Sequence, residues 1–279
     1  MSTLTTRPDR APDDYSSDIL EVEHVTQARV LRSEWIKLRS LRSTALTLAA
    51  AVLLMVAMGW IFGWATNANW SDLSPGEQAS FSAIDTTLAG YNLAQLAIGV
   101  LGVLLVTGEY ATGMIRATFG AVPRRLPVLW AKAALYAGVT FVLMLGAAFA
   151  AFVVGQQLLG THGATLSADG AVRAIVGVAV YLALIGVFSV ALGFIIRSTA
   201  GSVATLFGLL LVLPTLGLLL PSSWQDNLLP YLPSNAGATM FGAYTATDAL
   251  SATTSLLVLL GWVVPALAGA ALVLKRRDA

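Results

Sequence analysis

Six apolar runs, each close to the length of a bilayer crossing, leave this chain few folds to choose from. A transmembrane helix needs about 20 predominantly apolar residues. The runs lie at about 44–64, 84–106, 133–159, 172–196, 202–220 and 251–274, and no ionisable residue sits deep within any of them. In hydrocarbon every backbone N–H and C=O must be bonded internally, so runs of this kind become helices. The chain has 279 residues, 57% hydrophobic and 11% charged, whereas a soluble domain carries about 25% charged residues. The expected fold is an all-α polytopic membrane protein with six transmembrane helices.

Residues 1–23 are polar and acidic, with Asp9, Asp13, Asp14, Asp18, Glu21 and Glu23. Such a segment cannot bury a core and is expected to be a disordered cytoplasmic tail. Its acidic residues are also wrong for a signal peptide. Residues 24–43 differ. Wound as a helix, they gather Val30, Leu31, Trp35, Leu38 and Leu41 on one side, and Arg29, Arg32, Ser33, Lys37, Arg39 and Ser40 on the other. This predicts an amphipathic helix lying in the membrane surface, with Trp35 at headgroup depth. Glu34 and Arg42 interrupt the apolar side; a charged lead-in that only sets topology is the alternative.

Charge placement predicts orientation. With the amino terminus cytoplasmic, six crossings put all 16 Lys and Arg residues on the cytoplasmic side except Arg173. That is a positive-inside distribution with both termini inside. Arg173 is expected to pair with Asp169 one turn earlier. Arg in place of Lys and abundant Ala suit a GC-rich bacterial genome, and hence a bacterial cytoplasmic membrane.

Catalysis lacks its parts. There are no cysteines, and the two histidines, His24 and His162, have no carboxylate cluster beside them. No GxSxG, HExxH or GxxxxGK[ST] occurs, so the chain is not expected to be an enzyme or to hydrolyse ATP by itself. A proton- or ion-coupled pump would need an ionisable group within a span. Energy for any work is therefore expected from a partner.

The stretch Thr107–Lys132, between the second and third runs, carries Glu109, Arg116, Arg124, Arg125 and Lys132. Residues from Glu109 to about Phe119 suit a short helix, with Thr107 as a cap and a carboxylate in its first turn. Gly120, Pro123 and Pro127 are expected to break it and turn the chain toward the third span. A rigid helix crosswise below the membrane can transmit force. Its basic residues can equally be topology signals on anionic lipid, and Glu109 can instead brace the amino-terminal helix through Arg32 or Arg39.

The sequences GEYATGMIRATFGAVPRR at 108–125, SEWIKLRSLRS at 33–43 and YLPSNAG at 231–237 resemble the type-2 ATP-binding-cassette (ABC) permeases, especially those of actinobacteria. The resemblance covers residue 25 to the carboxyl terminus. It implies an amino-terminal elbow helix with Trp35, Lys37 and Arg39. It also implies a cytoplasmic coupling helix between spans two and three, and re-entrant outer helices between spans five and six. Carried over by residue, Glu109, Tyr110, Gly113 and Arg116 fall in the coupling helix, and Arg124 and Arg125 in the turn after it, as ATPase-docking residues. The implied function is the permease subunit of an exporter. It would be paired with a second permease, identical or not, and with two ABC ATPase subunits that hold ATP and Mg.

For a translocation path the chain offers only uncharged groups. Tyr91, Asn92 and Gln95 share the second span, and by family analogy face Thr205 on the fifth. Hydrogen bonding between neighbouring helices is the commoner use of such residues, and Gly59 and Gly63, four apart, are expected to serve helix packing. No nucleic-acid partner is indicated, only lipid and protein. The rival reading is a non-transporting scaffold or sensor subunit whose cytoplasmic loop binds a regulator; a secondary transporter comes third.

Overall fold

The computed structural model describes residues 26–122, 124–242 and 250–276. The expected tail at 1–23, His24, Pro123 and Arg277 lie outside the described residues. The described chain is helical throughout. Its elements are α1 (Gln27–Ser40), α2 (Arg42–Ala68), α3 (Pro75–Ala79), α4 (Ala83–Leu88), α5 (Tyr91–Ala111), α6 (Met114–Ala121) and α7 (Leu126–Leu159). They continue with α8 (Ala171–Ile196), α9 (Thr199–Phe207), α10 (Leu213–Gly217), α11 (Ser222–Leu228), α12 (Pro233–Phe241) and α13 (Ala252–Arg276). A π-turn at Gly208–Val212 joins α9 to α10. Six segments are long and apolar enough to cross a membrane: Arg42–Ala68, Ala83–Ala111, Leu126–His162, Ala171–Ile196, Thr199–Gly217 and Ala252–Arg276.

α8 is the centre of the bundle. In its most apolar stretch 78% of residues are buried, against 22% in α2 and 17% in α13, so the latter two are peripheral. Around α8 pack α5, α7 and α13, while α2 lies against α7 and α5. Small residues set the closest approaches. A Cβ at Gly59 would lie 2.7 Å from the Thr87 carbonyl, and one at Gly63 would lie 2.7 Å from the Gly155 carbonyl, so these two glycines serve packing of α2. Tyr136 of α7 wedges between α5 and α8 and donates its hydroxyl to the Ile98 carbonyl at 2.6 Å.

The alternation of the six long segments brings the chain's described ends to one end of the bundle, where α1, α6 and Arg124 also lie; this is called the basic end. Arg125 confirms the neighbourhood by donating to the carbonyl of Leu274, near the end of α13, at 3.4 Å. At the far end, Gln156 donates to the Ala83 carbonyl at 3.0 Å and accepts from the Ala164 amide at 2.6 Å. There His162 also stacks on Trp70 with ring centroids 3.7 Å apart. Arg173 does not form the expected ion pair with Asp169. Its guanidinium turns toward Gly170 and Gly242, 3.5 Å from a Cβ built at either.

Three expectations about the stretch after the second span need correction. Glu109 and Tyr110 belong to the last turn of α5, and the separate short helix α6 begins only at Met114. The break comes at Gly113, whose φ of 71° is left-handed, a conformation glycine adopts without steric cost. Thr107 caps nothing: its hydroxyl bonds the Val103 carbonyl and accepts from Thr199 at 2.8 Å. Pro127 starts a helix instead of breaking one. It lies in the first turn of α7, where its missing N–H has no partner to lose. Lys132 therefore sits well inside α7 and not in a loop.

Candidate functional site

Lys132 projects from α7 into a junction with α1 and α5, and is only 5% exposed. Its ammonium lies 2.6 Å from Glu34 Oε2 and 2.9 Å from Glu109 Oε1. Lys37, one turn after Glu34, lies 2.8 Å from Glu34 Oε1 and 3.2 Å from Glu109 Oε1. A third donation from Lys37 reaches Thr118 Oγ1 of α6 at 3.2 Å. Two lysines and two glutamates thus tie four helices together at one point, and their formal charges cancel.

Such a cluster forms because each charge is costly alone. Removing an ion from water costs several kcal/mol, recovered only when geometry and further bonds are good. Burial pushes the Glu34 carboxyl up, but Lys132 and Lys37 outweigh it and hold it below its ordinary 4.5. Burial likewise pulls Lys37 down, and Glu34 and Glu109 more than compensate, leaving it above its ordinary 10.5. Glu34 and Lys37 are therefore both charged at neutral pH. Glu34, which spoiled the apolar side of the amino-terminal helix, is the residue that fixes that helix on the bundle.

The short helix α6 is fastened on one face only. Ile115 and Phe119 are buried, while Met114, Arg116, Ala117 and Gly120 are exposed. Beside it, Arg125 covers the Phe119 ring at 5.5 Å and Arg197 covers the Tyr110 ring at 5.1 Å. Arg197 holds a left-handed conformation, φ 58°, at the turn between α8 and α9, so this turn also abuts the end of α5.

The proposed docking residues thus divide. Arg116 and Arg124 are exposed and Arg125 is half-buried. Glu109 is 6% exposed and engaged by Lys37 and Lys132. It does brace α1, but through lysines and not through Arg32 or Arg39. On α1, Trp35 and Arg39 are exposed, whereas Lys37 turns inward.

The residues considered for a path also divide. Gln95 is buried and accepts from the Tyr181 hydroxyl. Tyr91 is buried edge-on to Phe241, centroids 4.7 Å apart. Asn92 and Thr205 are exposed, and each bonds a carbonyl of its own or the preceding turn, Ala89 and Gly201. Sequence reasoning missed Thr118, Tyr136 and Gln156 as fasteners; a polar atom in an otherwise apolar run marks Tyr136 and Gln156, and nothing local marks Thr118. Compared with family models and with curated proteins, this chain matches none.

Proposed function

We propose that this chain is the permease subunit of an ABC exporter in a bacterial cytoplasmic membrane, with both termini cytoplasmic. α1 serves as its elbow helix and α6 as its coupling helix. α11 and α12 are the re-entrant outer segment. A second permease, identical or not, and two ATPase subunits holding ATP and Mg complete the machine.

One observation carries this reading: α6 is a discrete crossbar, anchored on its inner face by Ile115, Phe119 and the Lys37–Thr118 bond, and open on its outer face at Arg116. A partner pressing on that face moves α5, α1 and α7 together, because the buried ion cluster joins them. ATP-driven closure of the partner would then switch a central passage between inward- and outward-open states.

The reading is tested by co-purification of the full complex from its own membrane. R116E combined with R124E is expected to abolish recovery of the ATPase while the membrane fold and its monodispersity persist. Undiminished recovery would refute docking at α6. Glu109 is left out of this variant because reversing a buried charge breaks the junction itself.

A scaffold or sensor role is favoured by one feature. Gln95, Tyr136 and Ser189, three buried polar groups of the spans, are bonded within the chain. A passage would then need a second copy against exposed Asn92 and Thr205. ATP-dependent cargo movement in vesicles holding the full complex separates the two readings.

A further inference from the structure

A cavity of about 330 Å³ opens between α1, α2, α5 and the start of α7. One side is aliphatic, with Leu38, Leu101, Leu104, Leu105 and Leu135. The rest is mostly polar: the charged junction of Glu34, Lys37, Glu109 and Lys132, with hydroxyl residues from the start of α2 beside it. Leu41 and Leu104, also in its lining, are 48% and 42% exposed, and exposed Ser43 and Thr112 stand beside them, so the mouth offers both apolar and hydroxyl surface. An aliphatic wall gives water nothing to bond, and an amphipathic helix such as α1 lies at the boundary of headgroups and acyl chains. A chain-bearing amphiphile fits both halves of this lining.

The junction determines which head suits it. Its charges already cancel, so a net charged head would unbalance it. Lys37 uses its ammonium on Glu34, Glu109 and Thr118, and Lys132 on Glu34 and Glu109. A bare anionic phosphate therefore finds no uncommitted lysine. What the cluster lacks is a donor: Glu109 Oε2 is buried without a partner among the described residues. A carboxylate oxygen left in that state carries its full desolvation cost, and an N–H donor relieves it by a charge-assisted bond.

We propose that this cavity binds one aminophospholipid of the phosphatidylethanolamine type. An acyl chain lies along the leucines, the primary ammonium donates to the Glu109 carboxylate, and the phosphate stays at the mouth. The zwitterion leaves the junction neutral. A phosphatidylcholine head has the same net charge but no N–H, so it cannot make the bond. The lipid packs α1 against the spans, independently of whatever docks on α6.

The test uses the full-length protein, exchanged in detergent into an equal mixture of phosphatidylethanolamine, phosphatidylcholine and phosphatidylglycerol, with retained lipid counted by native mass spectrometry. One phosphatidylethanolamine per chain is expected, favoured over phosphatidylcholine on the order of tenfold, the size of one charge-assisted hydrogen bond. Glycerophosphoethanolamine, which has no acyl chains, should not be retained. L104W, which fills the mouth from an already exposed position, should remove the bound lipid without loss of monodispersity. E109Q should narrow the preference toward parity. Equal retention of the two zwitterions, or preference for phosphatidylglycerol, overturns the head-group assignment. A preference that survives L104W overturns the location.

Discussion

α1 at the basic end and α12 toward the far end are both short helices that a six-span bundle must hold in place, and they are held by different physics. α1 is fastened by charge, with Glu34 and Lys37 interlocked with Glu109 and Lys132. α12 is fastened by shape. Gly237 lies against the Tyr181 ring, and a Cβ at Gly177 would be 2.8 Å from that of Phe241. Those contacts fall on the seventh and eleventh residues of α8, about 9 and 15 Å along it at 1.5 Å per residue. α12 therefore sinks into the bundle, and its only buried polar tie to α13 among the described residues is the 2.6 Å contact of Thr239 with Ser255. The difference teaches where each helix can respond. A shape-fastened helix answers to volume. A charge-fastened one answers to charge, pH and any ligand that joins the cluster.

Breaking the charged fastening should have the largest effect. K132A leaves two buried carboxylates short of a cation, a loss of about 3–5 kcal/mol, read as collapse of the thermal transition or loss of monodisperse protein. The double variant K132M/E109Q removes one charge of each sign and should recover most of that loss. If the double variant is as unstable as K132A, the junction is held by packing and the contrast fails.

On the shape-fastened side, G237V must push the Tyr181 ring aside, an overpacking cost of about 1–3 kcal/mol. Hydrogen exchange should show α12 released while α1 stays protected. Equal loosening of both helices would show that they are one cooperative unit.

Acid sharpens the comparison without any substitution. The carboxyl of Glu34 is held below 4.5, so its contribution is complete above that pH and disappears as the pH falls through its lowered value. Lys37 is held above 10.5, so its contribution is complete below that pH and disappears as the pH rises through its raised value. The protection of α1, corrected for the intrinsic pH dependence of amide exchange, should therefore fall below about pH 4.5 and above about pH 10.5, while that of α12 shows no parallel change. The smallest effect is expected from T118V, which removes one bond from Lys37 to α6. It should cost about 1 kcal/mol and raise exchange in α6 alone.

The six spans were readable because length and the absence of charge suffice to specify them. The joints were less so. The α5–α6 break depends on one glycine with a left-handed φ, and a helix propensity that runs through Glu109 and Tyr110 hides it. Pro127 has opposite meanings in the middle of a helix and in its first turn, so the sequence hides the start of α7 at Leu126 and leaves Lys132 at the end of the polar stretch. Glu34 was visible as an anomaly on an apolar face. Its distant partner Lys132 was not, because it lies 98 positions away and meets Glu34 only once α1 and α7 are packed. The inward placement of Gln95 has the same origin, since only α8 supplies Tyr181.

The most direct measurement concerns the outer face of α6. The natural sequence has no cysteine, so R116C is a unique thiol for a short maleimide cross-linker in intact membranes. The account predicts labelling from the cytoplasmic side and a cross-linked adduct whose second protein carries a phosphate-binding loop. Labelling of that thiol from outside intact cells, or adducts that never include a nucleotide-binding protein, would contradict it.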